Sequence, residues 1–359
     1  MNRLIRIALV LYLVIFAANI QGADKPKNII ILIGDGMGLN YVAANVLMHE
    51  DSPFRKFATI GLSITKSIDE LITDSAAAAT AIATGYQTRN RYISVDTNYN
   101  KLYTIFERAQ SLNMATGVVV TDNIPGASPS PFYIHHHSRH DYFEIADQIV
   151  DSKLDVAIGG GAEYLLPIEQ GGSRKDSVNL IEELELLDYK VYYNFDDLSG
   201  SFPSEKIFGL LDMGSLPRAS QRDYSLGKLT SIAVDHLNEN DNGFIMVVEG
   251  SQIDWAGHDT NYVYLLVEME DFATAVNTAL EFAENDGNTL VIVTSDHDTG
   301  GMTITDGSFN ADSLKIEFIN THHTAGFVGV FAYGPGSELF NGIYDNYMIG
   351  QKLFKLLDY

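Results

Sequence analysis

The chain has 359 residues, of which 46% are hydrophobic and 19% are charged, and this balance argues for a folded α/β protein and against global disorder. Its formal charge of −24 argues against nucleic acid as a partner, because a basic face is needed to hold phosphate backbones. The chain has no cysteine, which excludes disulfides and thiolate ligands, so any zinc would be held by His, Asp and Glu.

The N-terminus has the pattern of a secretory signal peptide. Arg3 and Arg6 flank an apolar stretch, Ile7–Ala18, and small residues follow it. The stretch is short for a membrane-spanning helix and no second one follows, although an uncleaved anchor is the alternative because no clean Ala-x-Ala site is present. We therefore expect a signal peptide at residues 1–22, one domain at 23–359, no stable membrane insertion, and a periplasmic or secreted location.

Apolar runs typical of buried strands alternate with helical patterns along the chain. The strand candidates are Asn28–Ile33, Ala115–Val120, Val156–Gly159, Phe244–Val248 and Thr289–Thr294. Helical spacing runs from after Gly38 through His49 and returns over Leu102–Leu112, Val178–Leu187, Leu226–Leu237, Val263–Glu284 and Tyr347–Leu357. This alternation predicts a three-layer α/β sandwich, with a mainly parallel central sheet flanked by helices.

One segment is less regular than the rest. The stretch from about Pro167 to Arg222 is polar and acidic. We interpret it as peripheral structure, and an inserted substrate-side region is the alternative. No repeat and no long linker divides the chain, so one domain is expected.

Acidic residues follow three of the strand candidates. Asp35 follows the first, Glu249 follows Phe244–Val248, and Asp296 follows Thr289–Thr294. In parallel sheets ligands gather beyond the carboxyl ends of the strands. The pattern therefore predicts that these acids lie together in a site.

A serine lies in a run of small residues that Gly85 ends. Ser75 is preceded by Asp74 and followed by four alanines. Small neighbours let a bulky tetrahedral group come close to the hydroxyl. Together with the carboxylates and imidazoles elsewhere in the chain, Ser75 indicates a metal-assisted hydrolase with a serine nucleophile.

Several His and Asp residues have spacings that suit a metal. Asp254 and His258 are four residues apart, which in a helix places both on one face, although a surface Asp–His pair is the alternative. Asp296 and His297 are adjacent and can converge on one ion from a loop, with a capped turn as the alternative. Of the neighbours His322 and His323, one is expected to be a ligand.

The histidine cluster His135–His137 is interpreted as solvated or substrate-side and not as a metal site. Arg139 follows it, and a guanidinium fork matches two oxygens of a phosphoryl or sulfuryl group. An ordinary surface ion pair is the alternative for Arg139.

Five motifs together resemble the alkaline phosphatase family, in its bacterial secreted form, from Asn28 to about Pro335. They occur in family order as Ile-Gly-Asp35-Gly-Met-Gly, Thr-Asp74-Ser75-Ala-Ala, Val-Glu249-Gly-x-x-Ile-Asp254-x-x-x-His258, Thr-x-Asp296-His297 and His323-Thr. The resemblance implies a homodimeric phosphomonoesterase of broad specificity and alkaline optimum, which acts on phosphate monoesters through a phosphoserine intermediate and releases inorganic phosphate.

The resemblance also implies a role for each residue of the motifs. Ser75 would be the nucleophile and Arg139 the phosphate-binding arginine. The metal ligands would form three sets: Asp254, His258 and His323 for one Zn²⁺; Asp35, Asp296 and His297 for a second Zn²⁺; Asp35, Ser128 and Glu249 for a Mg²⁺.

Three positions depart from the family pattern. The residue before Ala127 is usually Asp or His in the family and here is Gly126, so the third site is expected to lose a supporting side chain. Ser128 replaces threonine but keeps the hydroxyl. Trp255 stands where some members have lysine and others have an aromatic residue or His. It cannot supply a charge to the phosphate, so Arg139 and the metals would carry more of that task.

Two other functions remain open from the residues alone. A phosphodiesterase or sulfatase of the related fold is one, although Asp74-Ser75-Ala76 does not match the usual nucleophile motif of either. An exported metal- or phosphate-binding protein with a disabled site is the other, and only Gly126 favours it.

Overall fold

The structure is a computed structural model that describes residues 25–308 and 313–358. The predicted signal peptide at residues 1–22 lies outside the described residues. Within the described ranges, each helix is too short or too polar to span a bilayer.

The strands of the described chain form one large sheet and two small ones. In chain order they are β1 (Asn28–Gly34), β2 (Thr59–Ile64), β3 (Ala115–Asn123), β4 (Val156–Gly160), β5 (Tyr189–Tyr192), β6 (Lys206–Leu210), β7 (Phe244–Gly250), β8 (Thr289–Thr294), β9 (Asp298–Thr299), β10 (Thr303–Gly307), β11 (Leu314–Glu317), β12 (His323–Thr324), β13 (Val328–Tyr333) and β14 (Gly342–Asp345).

The large sheet has ten strands in the order β14-β2-β13-β8-β1-β7-β3-β4-β6-β5. Strand β13 is antiparallel to both of its neighbours, and the other neighbouring pairs are parallel. The predicted mainly parallel sheet is therefore confirmed. The small sheets pair β10 with β11 and β12 with β9.

The five strands predicted from the sequence are β8, β1, β7, β3 and β4, which are adjacent in the middle of the sheet. Strands covered on both faces read as continuous apolar runs, and this is why the pattern found them. The strands it missed lie towards the two margins. There β2 alternates between buried and more exposed positions, and β5 is buried only at Tyr189. Strands β5 and β6 come from the polar stretch near 167–222, in agreement with its interpretation as peripheral structure.

Helices cover both faces of the sheet. They are α1 (Leu39–Met48), α2 (Ser75–Thr84), α3 (Ile105–Ser111), α4 (Tyr142–Ile149), α5 (Ala162–Leu165), α6 (Leu180–Leu186), α7 (Phe195–Ser199), α8 (Leu226–Leu237), α9 (Gln252–His258), α10 (Tyr262–Asp286) and α11 (Tyr347–Asp358). Helices α2, α3, α4, α6 and α11 pack on one apolar layer, and α1, α8, α9 and α10 pack on the other.

The central strand β1 shows how the three layers arise. Ile29, Ile31 and Ile33 belong to one layer, whereas Ile30 and Leu32 belong to the other, because successive side chains of a strand point to opposite faces. All five are fully buried, and each stabilises the fold by roughly 1.5–3 kcal/mol. The three-layer α/β prediction is confirmed.

The predicted helix boundaries differ from the observed ones where capping residues intervene. Helix α3 begins after Thr104 and not at Leu102, because the Thr104 hydroxyl accepts a bond from the Glu107 amide and the Glu107 carboxylate accepts one from the Thr104 amide. Helix α6 begins after Asn179, whose side chain accepts from two amides of the first turn. Residues 226–237 form α8 with the predicted bounds.

Candidate active site and metal centre

The site lies at the carboxyl end of the central strands. The register places Ile33 beside both Glu249 and Thr294, so Asp35, Glu249 and Asp296 emerge from three adjacent strands. The turn after β1 needs a glycine at position 36, since its φ is 68° and a Cβ there would lie 2.8 Å from an Asp254 carboxylate oxygen. The Gly36 amide donates a 3.0 Å hydrogen bond to Asp296 Oδ1 and joins two of these strand ends.

Ser75 is the first residue of α2 and is buried, with 3% of its surface exposed. Its Oγ lies 3.3 Å from Nε2 of His297. Asp74 caps the helix by accepting a 3.1 Å bond from the Ala77 amide, and Gly85 ends it with φ 74°. The alanines that follow Ser75 are buried against the neighbouring elements, which leaves no bulky side chain beside the hydroxyl in the first turn.

One ligand set surrounds the Nε2 atom of His297. This atom lies 3.5 Å from Asp35 Oδ1 and 3.1 Å from Asp296 Oδ2, yet neither oxygen has a hydrogen-bond partner in the part of the chain that the structure describes. Burial and the charge of Asp296 raise the pKa of Asp35 well above its ordinary value. Burial disfavours the charged form of Asp296, but the charge and hydrogen bond of His297, together with the Gly36 amide and the charge of His323, outweigh it and hold the pKa of Asp296 below its ordinary value.

A second set is formed by Asp254, His258 and His323. Nε2 of His258 lies 3.3 Å from Asp254 Oδ2 and 3.2 Å from Nε2 of His323. The Nδ1 atom of each ring faces a main-chain carbonyl oxygen. Nδ1 of His258 lies 2.7 Å from the Thr321 oxygen, and Nδ1 of His323 lies 2.9 Å from the Thr73 oxygen. Donation of Nδ1–H to these carbonyls leaves both Nε2 lone pairs directed at a shared centre, as metal-ligating histidines do.

The two histidines of this set have opposite pKa shifts in the protein without metal. The hydrogen bond to Asp254 raises the pKa of His258 to about 9. Burial, followed by the neighbouring His297 charge, lowers the pKa of His323 to about 4. His323 is therefore neutral over most of the pH range, whereas His258 must release a proton before it can bind a metal. The adjacent His322 is exposed.

The two sets adjoin through His297. Its ring stacks on that of His323 with centroids 3.5 Å apart, and its ligand atoms lie within 4.8 Å of those of Asp254 and His323 and of those of Asp35 and Asp296. Buried carboxylate oxygens without donors and imidazoles held by their far nitrogens fit cations of the zinc type. The donor set therefore fits two neighbouring metal ions.

A third set contains only oxygen atoms. Ser128 Oγ donates a 3.2 Å hydrogen bond to Asp35 Oδ2, while Glu249 Oε2 is buried without a hydrogen-bond partner. Burial raises the pKa of Glu249 to about 8, and the carboxylate of Asp122 adds to the effect. An all-oxygen set fits a hard cation such as Mg²⁺.

Glu249→Gln is expected to stabilise the metal-free protein at alkaline pH. The folded state holds the proton of Glu249 up to about pH 8, whereas the unfolded chain releases it near its ordinary value, so this group's contribution to stability falls as pH rises between the two. The variant lacks this loss, so its free energy of unfolding should exceed that of chelator-treated wild type by on the order of 2 kcal/mol at about pH 9. Urea unfolding of both proteins at about pH 5 and about pH 9 measures this difference. A difference of the same size at both pH values would contradict the expectation.

Arg139 lies beside the start of α2. Its Nη1 donates a 3.2 Å hydrogen bond to Asp74 Oδ2, and Asp74 also accepts 3.0 Å bonds from the Arg91 amide. Burial alone would lower the pKa of Arg139, but the charges of Asp74 and Asp35 raise it above the ordinary value. Asp74 therefore orients both the helix start and the guanidinium.

The His135–His137 cluster has partners away from the centre. His135 bonds to the Ser94 carbonyl at 2.8 Å and to Glu107 at 3.2 Å, and His136 bonds to Asp141 at 2.8 Å. Ligand atoms of His136, His137 and Asp141 do fall within 4.8 Å of one another, but the hydrogen bond between His136 and Asp141 already occupies two of these atoms.

The side chain of Trp255 packs against an apolar layer.

Sequence reasoning missed two side chains at the site. Thr299 Oγ1 donates to Asp254 Oδ1 and lies 3.2 Å from Nδ1 of His297, so it contacts both His/Asp sets. Asp122 is the second-last residue of β3, and its charge raises the pKa of Glu249. The signal that found the other acids, a carboxylate at a strand end, applies equally to Asp122.

Known proteins share this arrangement of elements over nearly the whole chain. The alkaline phosphatase family profile matches residues 26–318. Alkaline phosphatase 3 of Bacillus subtilis is 33% identical over 94% of this chain and 90% of its own.

Solved structures agree with the sequence comparison. The alkaline phosphatase of the Antarctic bacterium TAB5 has a TM-score of 0.87 at 36% identity, covering 94% of this chain and 99% of that one, and a mutant of it was solved with Mg bound in a site called M3. The cold-active alkaline phosphatase of Shewanella sp. has a TM-score of 0.83 at 28% identity, covering 92% and 99%. The chain therefore belongs to the alkaline phosphatase family and is a phosphoric monoester hydrolase.

Proposed function

We propose that the chain hydrolyses phosphate monoesters through a phosphoserine on Ser75, with two Zn²⁺ and one Mg²⁺, broad specificity and an alkaline optimum. The observation that carries the proposal is the 3.3 Å distance from Ser75 Oγ to Nε2 of His297, the residue at which the two His/Asp sets meet. A hydroxyl beside that junction can lose its proton to become a nucleophile and then form a bond to phosphorus.

The residues would hold the metals in three sets. These are Asp254, His258 and His323 for one zinc, Asp35, Asp296 and His297 for the second, and Asp35, Ser128 and Glu249 for magnesium. When bound, such ions lower the pKa of hydroxyls and water and stabilise oxygen anions. The unpaired oxygens of Asp35, Asp296 and Glu249 support this assignment, because buried carboxylates without donors need cations.

Ser75 performs the covalent work in two steps. Its Oγ gives up its proton and attacks phosphorus, forming the serine–phosphorus ester while the bond to the alcohol oxygen breaks and the alkoxide takes up a proton and departs as the alcohol. A water molecule then gives up a proton and attacks the same phosphorus, the bond to Ser75 Oγ breaks, Oγ regains a proton, and inorganic phosphate leaves. Position and charge dominate phosphoryl transfer, and Ser75 at the N-terminus of the ten-residue α2 adds the positive end of a helix dipole.

Arg139 would bind the phosphoryl oxygens. One guanidinium nitrogen is anchored by Asp74, which leaves the other N–H groups of the fork for two oxygens. The protein carries a formal charge of −24, so its overall field repels a phosphate ester. Local cations at a few ångströms outweigh distant carboxylates, which salt screens beyond about 8–10 Å.

The alkaline optimum follows from the ligands. His258 has a raised pKa of about 9 in the metal-free protein, and protons therefore compete with a metal for its Nε2 more strongly as pH falls. Deprotonation of the Ser75 hydroxyl is also favoured at higher pH. Both effects support an activity that rises toward alkaline pH.

Hydrolysis of three substrates tests the proposed specificity. An aryl phosphate, a bis-aryl phosphate and an aryl sulfate share one leaving group, so their rates differ only through the transferred group. We expect the phosphate monoester to dominate turnover. Dominant turnover of the diester or the sulfate would reassign the chain to a phosphodiesterase or sulfatase activity.

We also propose an exported homodimer in the periplasm or outside the cell. The N-terminal pattern supports export, and exposed apolar residues supply a surface for a second copy: Ile68, Leu71 and Ile72 are 52%, 69% and 38% exposed. Cell fractionation and sedimentation equilibrium measure location and assembly.

A further inference from the structure

A carboxylate outside the recognised motifs lies against the glycine that departs from the family pattern. A Cβ built on Gly126 would lie 3.2 Å from Asp122 Oδ2 and 2.8 Å from the Asn123 carbonyl oxygen. Both distances are shorter than ordinary van der Waals contact. The Asp122 carboxylate therefore occupies the space that a side chain at position 126 would need.

The Asp122 carboxylate is held in one orientation. Its Oδ1 accepts a 2.8 Å hydrogen bond from Asn123 Nδ2 and a second bond from the Ser215 hydroxyl. Its main-chain amide donates a 3.1 Å bond to Ser251 Oγ. Both side-chain hydrogen bonds that the described residues make to this carboxylate end on Oδ1, and Oδ2 faces Gly126.

Asp122 borders the all-oxygen set. Val120 pairs with Glu249 across β3 and β7. Beyond Val119 the strand is irregular, and the Asp122 amide donates to Ser251 Oγ, two residues after Glu249, while the Asp122 charge raises the pKa of Glu249. Glu249 Oε2 is buried there without a partner, and Glu249 is only 2% exposed. Ser128 lies two residues beyond Gly126 and bonds to Asp35, so these oxygens lie around one polar space.

We propose that Asp122 is a positioning residue of the third cation site and supplies, from the end of β3, the acceptor that Gly126 lacks. Mg²⁺ keeps several water molecules when it binds proteins, and Asp122 Oδ2 accepts hydrogen bonds from those waters. The inference rests on the proposed function, since it assumes that Asp35, Ser128 and Glu249 hold a cation. The proposal predicts that the third site binds Mg²⁺ even though Gly126 supplies no side chain to it.

Magnesium titration of the Asp122→Asn variant tests the proposal. The amide oxygen can keep the bonds from Ser215 and Asn123, and the NH₂ group then faces the third site as a donor. The full chain is loaded with two zinc equivalents and titrated with MgCl₂ by isothermal calorimetry. We expect magnesium to bind about 10–100-fold more weakly than in wild type, with unchanged zinc content and a smaller rise of Tm on magnesium addition.

Asp212→Asn is the charge-matched control. Asp212 is half-buried, accepts a 3.2 Å bond from the Gly214 amide near Ser215, and loses the same charge on substitution. The magnesium affinity of this variant should stay within about twofold of wild type, because the Asp212 carboxylate bonds to the Gly214 amide and, among the described residues, to none of Asp122, Ser128 and Glu249.

Two outcomes would overturn the role of Asp122. One is a magnesium affinity of Asp122→Asn equal to that of wild type. The other is loss of zinc together with magnesium, which would make Asp122 a support of the whole centre. Failure of the proposed function differs from both, because wild type itself would then bind no zinc or hydrolyse no aryl phosphate.

Discussion

Ser75→Ala is expected to lower phosphate monoester turnover by on the order of 10³-fold or more while zinc content stays mostly intact. The substitution removes only Oγ, the atom that lies 3.3 Å from Nε2 of His297. Helix α2 should persist, because alanine favours helices and Asp74 still caps the first turn. Steady-state kinetics with an aryl phosphate measure the turnover, and metal analysis measures the zinc content. Acid-quenched trapping measures the phosphoenzyme, which should be absent from the variant.

Thr84→Ala is the matched control for Ser75→Ala. It removes a buried hydroxyl from the other end of the same helix, where Oγ1 donates to the Thr80 carbonyl at 2.8 Å, and turnover should change little. Unchanged turnover in Ser75→Ala would remove Ser75 from the mechanism. Loss of zinc in parallel with turnover would assign its effect to metal binding.

Arg139→Ala separates phosphate binding from the covalent step. Without the guanidinium that Asp74 anchors, the phosphoenzyme should still form on Ser75, but kcat/KM should fall and inorganic phosphate should inhibit less. Loss of phosphoenzyme formation with unchanged phosphate inhibition would contradict this role.

Complete metal removal is expected to abolish activity, and zinc is expected to restore it. Without cations, the buried oxygens of Asp35, Asp296 and Glu249 lack partners among the described residues, and no metal ion helps to deprotonate the Ser75 hydroxyl. The chelated protein should also unfold at a lower temperature, because ions that bind only the folded state stabilise it by mass action. Activity and Tm after chelation, dialysis and readdition of metal measure both effects.

Readdition of single metals is the control. Magnesium alone should not restore turnover, because the His258 and His323 nitrogens suit zinc and Mg²⁺ prefers oxygen ligands. Zinc alone should restore most of it, and magnesium should then add to the effect through the set around Glu249. Full activity in protein shown by elemental analysis to hold no metal would defeat the metal assignment.

The interior of the sheet could be predicted from local pattern, and its margins could not. Strand β7 is buried at every position and reads as one apolar run, whereas β2 alternates and exposes Ile60. The i, i+4 spacing of Asp254 and His258 places both on one face only if the segment is helical, and both residues lie in helix α9. Such signals need only a few neighbouring residues, so they are visible without the fold.

By itself, the sequence determined the family and predicted the serine and the kinds of ligand, because these depend on residue types within short motifs. Only the tertiary structure decided that His297 joins the two His/Asp sets, that main-chain carbonyls of Thr73 and Thr321 orient the imidazoles, and that Asp122 occupies the space beside Gly126. Strand register and turn geometry bring these groups together from distant parts of the chain. Whether a side chain can bind an ion or only lies near it depends on interatomic distances, and a sequence motif does not contain these distances.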